Sequence, residues 1–192
     1  MVDCDVLVVG FGCAGATAAI EAAEAGASVV VLERASAPGG SSALSGGEIY
    51  LGGGTAVQQA CGFEDTAEAM YSFLVAALGP HADEQKLRLY CDGSVEHHDW
   101  LVAHGVAFKP SLHERAGWMP PTDDGLMWLG ENAWPFPTLA APAPRGHRGP
   151  TPYYAGKLLM DALVAAAGRA GVRTEVDTRA VSLVVEDGVP GR

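Results

Sequence analysis

Three glycines near the start of the chain carry the first chemical signal. Gly10-Phe11-Gly12-Cys13-Ala14-Gly15 spells G-x-G-x-x-G. In a chain with 25 glycines among 192 residues such a hexapeptide arises easily by chance, so its surroundings decide. Asp5-Val6-Leu7-Val8-Val9 before it is apolar and β-branched, and reads as a strand buried on both faces of a parallel sheet. Ala14 to Ala25 after it is alanine-rich and proline-free, and reads as a helix closed by Gly26. In that setting Gly10 makes the tight turn, Gly12 lets backbone reach a pyrophosphate, and Gly15 lets the helix pack close to the strand. The helix N-terminus adds unpaired N–H groups and a positive dipole end for phosphate. Glu33, at the end of a second buried run from Ser28 to Leu32, stands where a carboxylate accepts from ribose hydroxyls. The plainer alternative, a glycine-rich βα turn without a ligand, leaves the agreement of all these parts unaccounted for.

A second glycine cluster follows Glu33 closely: Pro38-Gly39-Gly40-Ser41-Ser42, then Ser45-Gly46-Gly47. A nicotinamide enzyme has no use for it. FAD enzymes of the glutathione-reductase type do, because this loop passes the second phosphate and the flavin ring, where bulky side chains would collide and serine hydroxyls can bond. A flexible serine-glycine linker is the competing reading, and apolar Leu44, Ile49 and Tyr50 interrupt it.

Strand, helix and strand within about 30 residues make a right-handed βαβ unit. Residues 35 to 54 read as loop and turn. A helix is predicted from near Thr66 to Gly79-Pro80, and another from Asp83 to His104, with Leu87, Tyr90, Cys91, Val95, Leu101 and Val102 near helical spacing and Gly93 weakening its middle. Lys109 to Pro152 reads as extended loop, with prolines at 135, 137, 142, 144, 150 and 152. A helix over Ala155 to Ala170 then leads through Gly171 into one or two strands between Arg173 and Val185, with a turn at Glu186-Asp187-Gly188. The expected organisation is a βαβ FAD-binding unit over 1–55, a helical and proline-rich insertion over 56–152, and a returning helix and strands over 153–192. The fold class is α/β: a Rossmann-like, glutathione-reductase-type FAD-binding fold, incomplete, with helical and loop insertion.

Composition bounds the partners. Hydrophobic residues make up 48% and charged residues 18%, an ordinary globular balance. Asp and Glu outnumber Lys and Arg 23 to 12, a formal charge of −11, which argues against nucleic acid and anionic membrane. Cysteines at 4, 13, 61 and 91 have neither zinc spacing nor a small disulfide framework, which suits a reducing cytosol. The acidic start is unlike a signal peptide, and no apolar stretch approaches the roughly 20 residues that cross a bilayer. A soluble, cytoplasmic protein is expected. His97, His98, His104 and Asp99 lack metal-ligand spacing and suit packing or capping. No G-x-S-x-G elbow supports a hydrolase, and Cys13 fills a position open to any small residue. Trp100, Trp118, Trp128 and Trp134 could line a flat apolar pocket or simply be local core.

Beyond these residue-level readings, D-C-D-V-L-V-V-G-F-G-C-A-G, V-V-V-L-E-R and P-G-G-S-S-A-L-S-G-G within residues 3 to 47 resemble the FAD domain of the fumarate reductase and succinate dehydrogenase flavoprotein superfamily. E-I-Y-L-G-G-G-T (48–55), Q-A-C-G-F (59–63), A-A-L-G-P (76–80), G-S-V-E-H (93–97), D-D-G-L-M (123–127) and A-P-A-P-R-G-H (141–147) resemble its 3-ketosteroid dehydrogenase branch, the Δ4-(5α) members above all. The resemblance implies that Gly10, Gly12, Ala14 and Gly15 surround the FAD pyrophosphate and that Glu33 holds the adenosine ribose with Arg34 beside it. It further implies that Gly40, Ser41, Ser42, Gly46 and Gly47 run along the ribityl chain and flavin, and that the backbone at Val181 pairs with adenine. No histidine lies between Arg34 and Tyr50, where succinate dehydrogenases tether flavin, so a non-covalent FAD is implied. Asn132-Ala133-Trp134-Pro135-Phe136 follows the related E-N-A-x-P-F pattern only in part, and the connection from His147 to Tyr153 is short.

The resemblance places the family's later flavin-facing strand, its substrate cap and the steroid branch's proton-moving tyrosines beyond Arg192, so no catalytic residue is assigned. The expected activity is hydrogen withdrawal across a carbon–carbon bond next to a ketone in a small apolar substrate such as a 3-ketosteroid, with an unspecified electron acceptor. Fumarate reduction, and a truncated module that binds nucleotide without catalysis, stand as alternatives. On this reading residues 1–192 alone would be poorly soluble or hold FAD weakly.

Overall fold

The computed structural model describes residues 3–115, 117, 119–186 and 189–190. In chain order its elements open with β1 (Val6–Val9), α1 (Cys13–Glu24), β2 (Val29–Leu32), α2 (Gly40–Ala43), β3 (Ile49–Tyr50) and α3 (Ala56–Ala60). Next come α4 (Ala67–Leu78), α5 (Glu84–Asp92), α6 (Ser94–Ala103), β4 (Leu112–His113), β5 (Leu126–Met127) and β6 (Gly146–His147). The last are α7 (Gly156–Arg169), β7 (Arg173–Glu175), β8 (Val185–Glu186) and β9 (Val189–Pro190). The chain forms two compact units, one of Met1–Leu44 with Lys157–Arg192 and one of Ser45–Gly156.

The first unit is the predicted α/β arrangement. Its sheet runs β1-β2-β7 with every pairing parallel: Val6 beside Val29, Val9 beside Leu32, and Val30 beside Arg173. Helix α1 buries Ala16, Ala19 and Ile20, and the chain leaves it through Gly26 at φ +93°. Strand β2 has the burial expected of a central strand, with Val29, Val30 and Val31 buried. Strand β1 departs from expectation. Leu7 and Val9 are exposed while Val6 and Val8 are partly covered, because β1 is an edge of the described sheet and period-2 side chains reach two faces. After β7 the expected strand region is irregular until β8 pairs antiparallel with β9. Of the expected turn, Asp187 and Gly188 lie outside the described residues.

The second unit holds more regular structure than its sequence suggests. Residues expected as loop supply β3 here, as they do α2 in the first unit, and the expected loop over 109–152 contributes β4, β5 and β6. These join as β3-β6-β5-β4, with β4 and β5 parallel and the other pairings antiparallel. Helix α3, which no periodicity announced, is fixed by a capping box: Thr55 accepts from Gln58 N, and the Gln58 side chain accepts from Thr55 N. Helix α4 starts on Thr66, which accepts from Ala69 N, and α5 on Asp83, which accepts from Lys86 N. The predicted helix over 83–104 is two helices. Gly93 ends α5 and opens α6, because its high backbone entropy disfavours a helix interior. Leu51, Met70, Phe73, Leu101, Leu126 and Met127 form the buried centre. Among the described residues no helix is long and apolar enough to cross a membrane.

Candidate cofactor site

In the first unit the fingerprint has the local geometry its sequence demands. Gly10 sits at φ +96° and donates from its N–H to Leu32 O at 2.8 Å. A Cβ on Gly15 would be driven into the Gly10 carbonyl oxygen, with Val8 Cγ1 at 3.3 Å. Glycine is therefore required for α1 to approach β1. Gly12 caps α1 without a side chain, and the first turn keeps N–H groups that the helix cannot pair internally.

The two glycine clusters are clasped together. Gly39 N donates to Phe11 O at 2.8 Å, and Cys13 N donates to Ser42 Oγ at 3.2 Å. Gly39, at φ +118°, is also sterically required, since a Cβ there would lie 2.7 Å from that of Ala43. Gly40, at φ +47°, is exposed and has open space where a Cβ would stand. Ala14 and Ser41 are exposed as well.

Glu33 ties this surface down. Its Oε1 accepts from Ala35 N and its Oε2 from Phe11 N, both at 2.8 Å. These two N–H groups, Ala35 first, hold its carboxyl below the usual carboxylate range, so it stays ionised at neutral pH. Each oxygen keeps a lone pair for a ribose hydroxyl. Arg34 is exposed beside it, and Val181 is 84% exposed in an irregular segment.

The remaining two predicted residues, Gly46 and Gly47, lie in the second unit and are buried. Ala155 N donates to Gly46 O at 2.8 Å and Gly156 N to Ser45 O at 3.2 Å. Gly47 has φ +73°, and a Cβ there would strike the Ala155–Gly156 backbone. Close backbone packing thus demands this glycine, quite apart from any ligand.

The second unit also holds a charged interior that sequence reasoning missed. The side chains of Asp65 and Arg145 are both fully buried and pair through two bonds, Nη2 to Oδ1 at 2.6 Å and Nε to Oδ2 at 2.9 Å. Gly53 N and Gln58 Nε2 donate to the same Asp65 Oδ2, each at 3.0 Å. Burial alone would raise the Asp65 carboxyl; these donors, Arg145 foremost, hold it below the ordinary range. His147 is equally buried. Its Nδ1–H donates to Arg145 O at 3.1 Å, and the Thr55 hydroxyl donates to Nε2 at 2.8 Å. Burial pushes this imidazole down to about 4, so it stays neutral. The available signal is Arg145-Gly146-His147-Arg148, two arginines and a histidine in a proline-rich stretch of an acidic chain.

The other candidates have local partners. His98 is buried, lies 2.9 Å from Asp99 through Nδ1 and stacks on Phe108, while His104 stacks on Trp100 and reaches its carbonyl at 2.7 Å. Trp128 packs edge-on to Phe63, and Trp134 is 81% exposed. Trp118 lies outside the described residues. The described tryptophans therefore have separate surroundings.

Comparison with known proteins completes the description of the site. Residues 5–191 match the FAD binding domain family. The chain belongs to that family. Its cofactor is FAD, and the glycine surface around Gly10, Gly12 and Gly40, with the Ser42 hydroxyl beside Gly12, fits a dinucleotide that must reach backbone N–H groups. This FAD binding domain is similar to 3-ketosteroid-Δ4-(5α)-dehydrogenase from Rhodococcus jostii RHA1 in complex with 4-androstene-3,17-dione. There the TM-score is 0.91 and the identity 55%, covering 96% of this chain and 40% of that one. The 3-oxo-5-alpha-steroid 4-dehydrogenase of Comamonas testosteroni is 35% identical over 186 residues, 95% of this chain and 35% of the relative. A flavocytochrome c3 fumarate reductase is 29% identical with a TM-score of 0.72, covering 96% of this chain and 28% of that one. The chain thus spans 35% to 40% of the length of these two steroid dehydrogenases.

Proposed function

We propose that this FAD binding domain serves an FAD-dependent dehydrogenase that withdraws hydrogen across a carbon–carbon bond beside the ketone of a 3-ketosteroid. The observation that carries the reading is the 55% identity over 96% of the chain to a dehydrogenase described in complex with a 3-ketosteroid. The 29% identity to a fumarate reductase supports the wider superfamily and gives less weight to dicarboxylate reduction. When bound, FAD supplies a two-electron acceptor for the carbon–carbon bond.

In this reading the chain's own residues bind and orient the cofactor. Gly10, Gly12, Ala14 and Gly15 bring backbone N–H groups and the α1 N-terminus to the pyrophosphate, and Glu33 accepts from the adenosine ribose with Arg34 alongside. Gly40, Ser41, Ser42, Gly46 and Gly47 follow the ribityl chain and flavin, and the Val181 backbone pairs with adenine. The link to FAD is non-covalent. The substrate is a small apolar ketone of the steroid class.

The test is purification of the protein from its native gene, acid treatment, and assay with 3-ketosteroids and an artificial electron acceptor. Free FAD released by acid and steroid-dependent acceptor reduction are expected. Flavin that stays with the denatured protein would remove the non-covalent assignment. Fumarate reduction without steroid turnover would replace the substrate class.

A further inference from the structure

Arg148 is fully buried in the Ser45–Gly156 unit, one residue beyond His147. Its Nη1 donates to Thr122 O at 3.0 Å, and its Nη2 donates to Thr151 O at 2.8 Å and Tyr153 O at 2.7 Å. Its Nε stands 3.9 Å from Glu48 Oε1, and both of these atoms are buried without a hydrogen-bond partner. A buried guanidinium is expensive, and an apolar side chain of similar volume would avoid that cost. What the arginine supplies instead is a rigid fork that fixes three carbonyls on two loop segments.

Those carbonyls matter for their neighbours. Tyr153 has φ +63°, a left-handed conformation unfavourable for a residue with a side chain. It is held from both sides, by Arg148 on its carbonyl and by its own N–H donating to Pro120 O at 2.9 Å. Such strain persists only where surrounding bonds over-determine it. Two residues on, the Ala155 and Gly156 N–H groups grip Gly46 and Ser45. On the other side of the same loop the Glu48 carboxylate occupies the space that a Cβ on Gly46 would need. Arg148 therefore bears on the glycine loop by two routes, one through Glu48 and one through Tyr153 to Gly156.

We propose that Arg148 is a positioning residue for the Ser45–Gly47 loop, acting through Glu48 and the Tyr153–Gly156 segment, and thereby sets how the flavin end of FAD is held. This rests on the reading that Gly46 and Gly47 run along the flavin. In this role Arg148 acts through its protein partners Glu48, Thr122, Thr151 and Tyr153.

The experiment uses the full chain with FAD and the variants Arg148→Met, Arg148→Lys and Glu48→Gln. Hydrogen exchange of the wild-type protein comes first, and FAD should slow the amides of residues 45–48. Absence of that protection overturns the reading of Gly46 and Gly47, and the proposal with it. Given protection, Arg148→Met should shift the visible absorption of bound flavin and weaken FAD about tenfold, as loss of an outer partner that orients a binding group does. Arg148→Lys should recover part of both changes, and Glu48→Gln should give a smaller shift of the same kind. Wild-type absorption and affinity in Arg148→Met, with only a lower melting temperature, would overturn the role of Arg148 and leave the loop reading standing. Should Arg148→Met fail to fold, Arg148→Lys and Glu48→Gln carry the same test, and unchanged flavin absorption in both would overturn the role.

Discussion

The two units of this chain build with different materials. In the first, glycines at 10, 12, 15, 39 and 40 shape a surface of main chain, and a single ionised side chain, Glu33, pins it through Phe11 and Ala35. The ion pairs described there, Lys157 with Asp161 and Arg173 with Glu175, lie at the surface. In the second, charge goes inside: the side chains of Asp65, Arg145 and Arg148 are buried, and Thr55, Gln58 and His147 connect to them. A surface of N–H groups is ready for a ligand's negative charge, whereas a buried ionic interior specifies one geometry at a cost in desolvation. The contrast separates a binding surface from a scaffold.

Four measurements can break or sharpen that contrast. The largest effect is expected from Asp65→Ala, which strands the Arg145 guanidinium in the interior. Loss of one partner of such a pair costs about 3–5 kcal/mol, read by denaturant unfolding, and a loss under 1 kcal/mol would mean the interior is not held by charge. Next is acid. His147 is neutral in the fold, with its pKa depressed to about 4, whereas the unfolded chain takes up the proton near the ordinary value of 6.5. Stability is therefore full above about pH 6.5 and falls as pH drops from there toward 4, by about 3 kcal/mol. His147→Gln should flatten that slope in unfolding curves taken across the window; an unchanged slope would assign the acid sensitivity elsewhere.

The smaller effects belong to the first unit. Glu33→Ala should weaken FAD by roughly one to two decades, the worth of about 1.5–3 kcal/mol for bonds to a charged group. An unchanged flavin titration would make Glu33 a purely structural anchor for Phe11 and Ala35. Gly15→Ala is expected to cost about 1–3 kcal/mol through overpacking, despite the gain of about 1 kcal/mol that alanine brings to a helix. A rise in melting temperature would show that α1 does not need its close approach to β1.

The same contrast explains what could be read in advance. The βαβ unit and the fingerprint were legible because their constraints are local: Gly10 must take a positive φ, and Gly15 must leave room for a carbonyl five residues away. Glu33 could be found from its place after β2, but its bonds to Phe11 and Ala35 could not, since loop donors leave no periodic trace. Strands β4, β5 and β6 have two residues each and lie among prolines and glycines, too short for an alternation to register. Gly93 was recognised as a weak point, yet composition alone could not tell a strained helix from two helices. The Asp65–Arg145 pair joins residues far apart in the chain, so neither residue type nor spacing announces it. Exposure of β1 escaped for a related reason: an apolar β-branched run is the same string whether or not a neighbour covers it.

The register of the first unit's sheet bears on the order in which the chain acquires structure. Strands β1 and β2 are joined by one helix and can pair early, but Val30 meets Arg173 only once the long segment between them has been made. Closing so long a loop costs entropy that grows with its length, and non-local pairing of this kind slows folding. The Ser45–Gly156 segment lies entirely within that loop. Its consolidation before β7 arrives shortens the effective span to be closed. A translating ribosome therefore releases β1 and β2 first, the segment that shortens the loop second, and β7 after both.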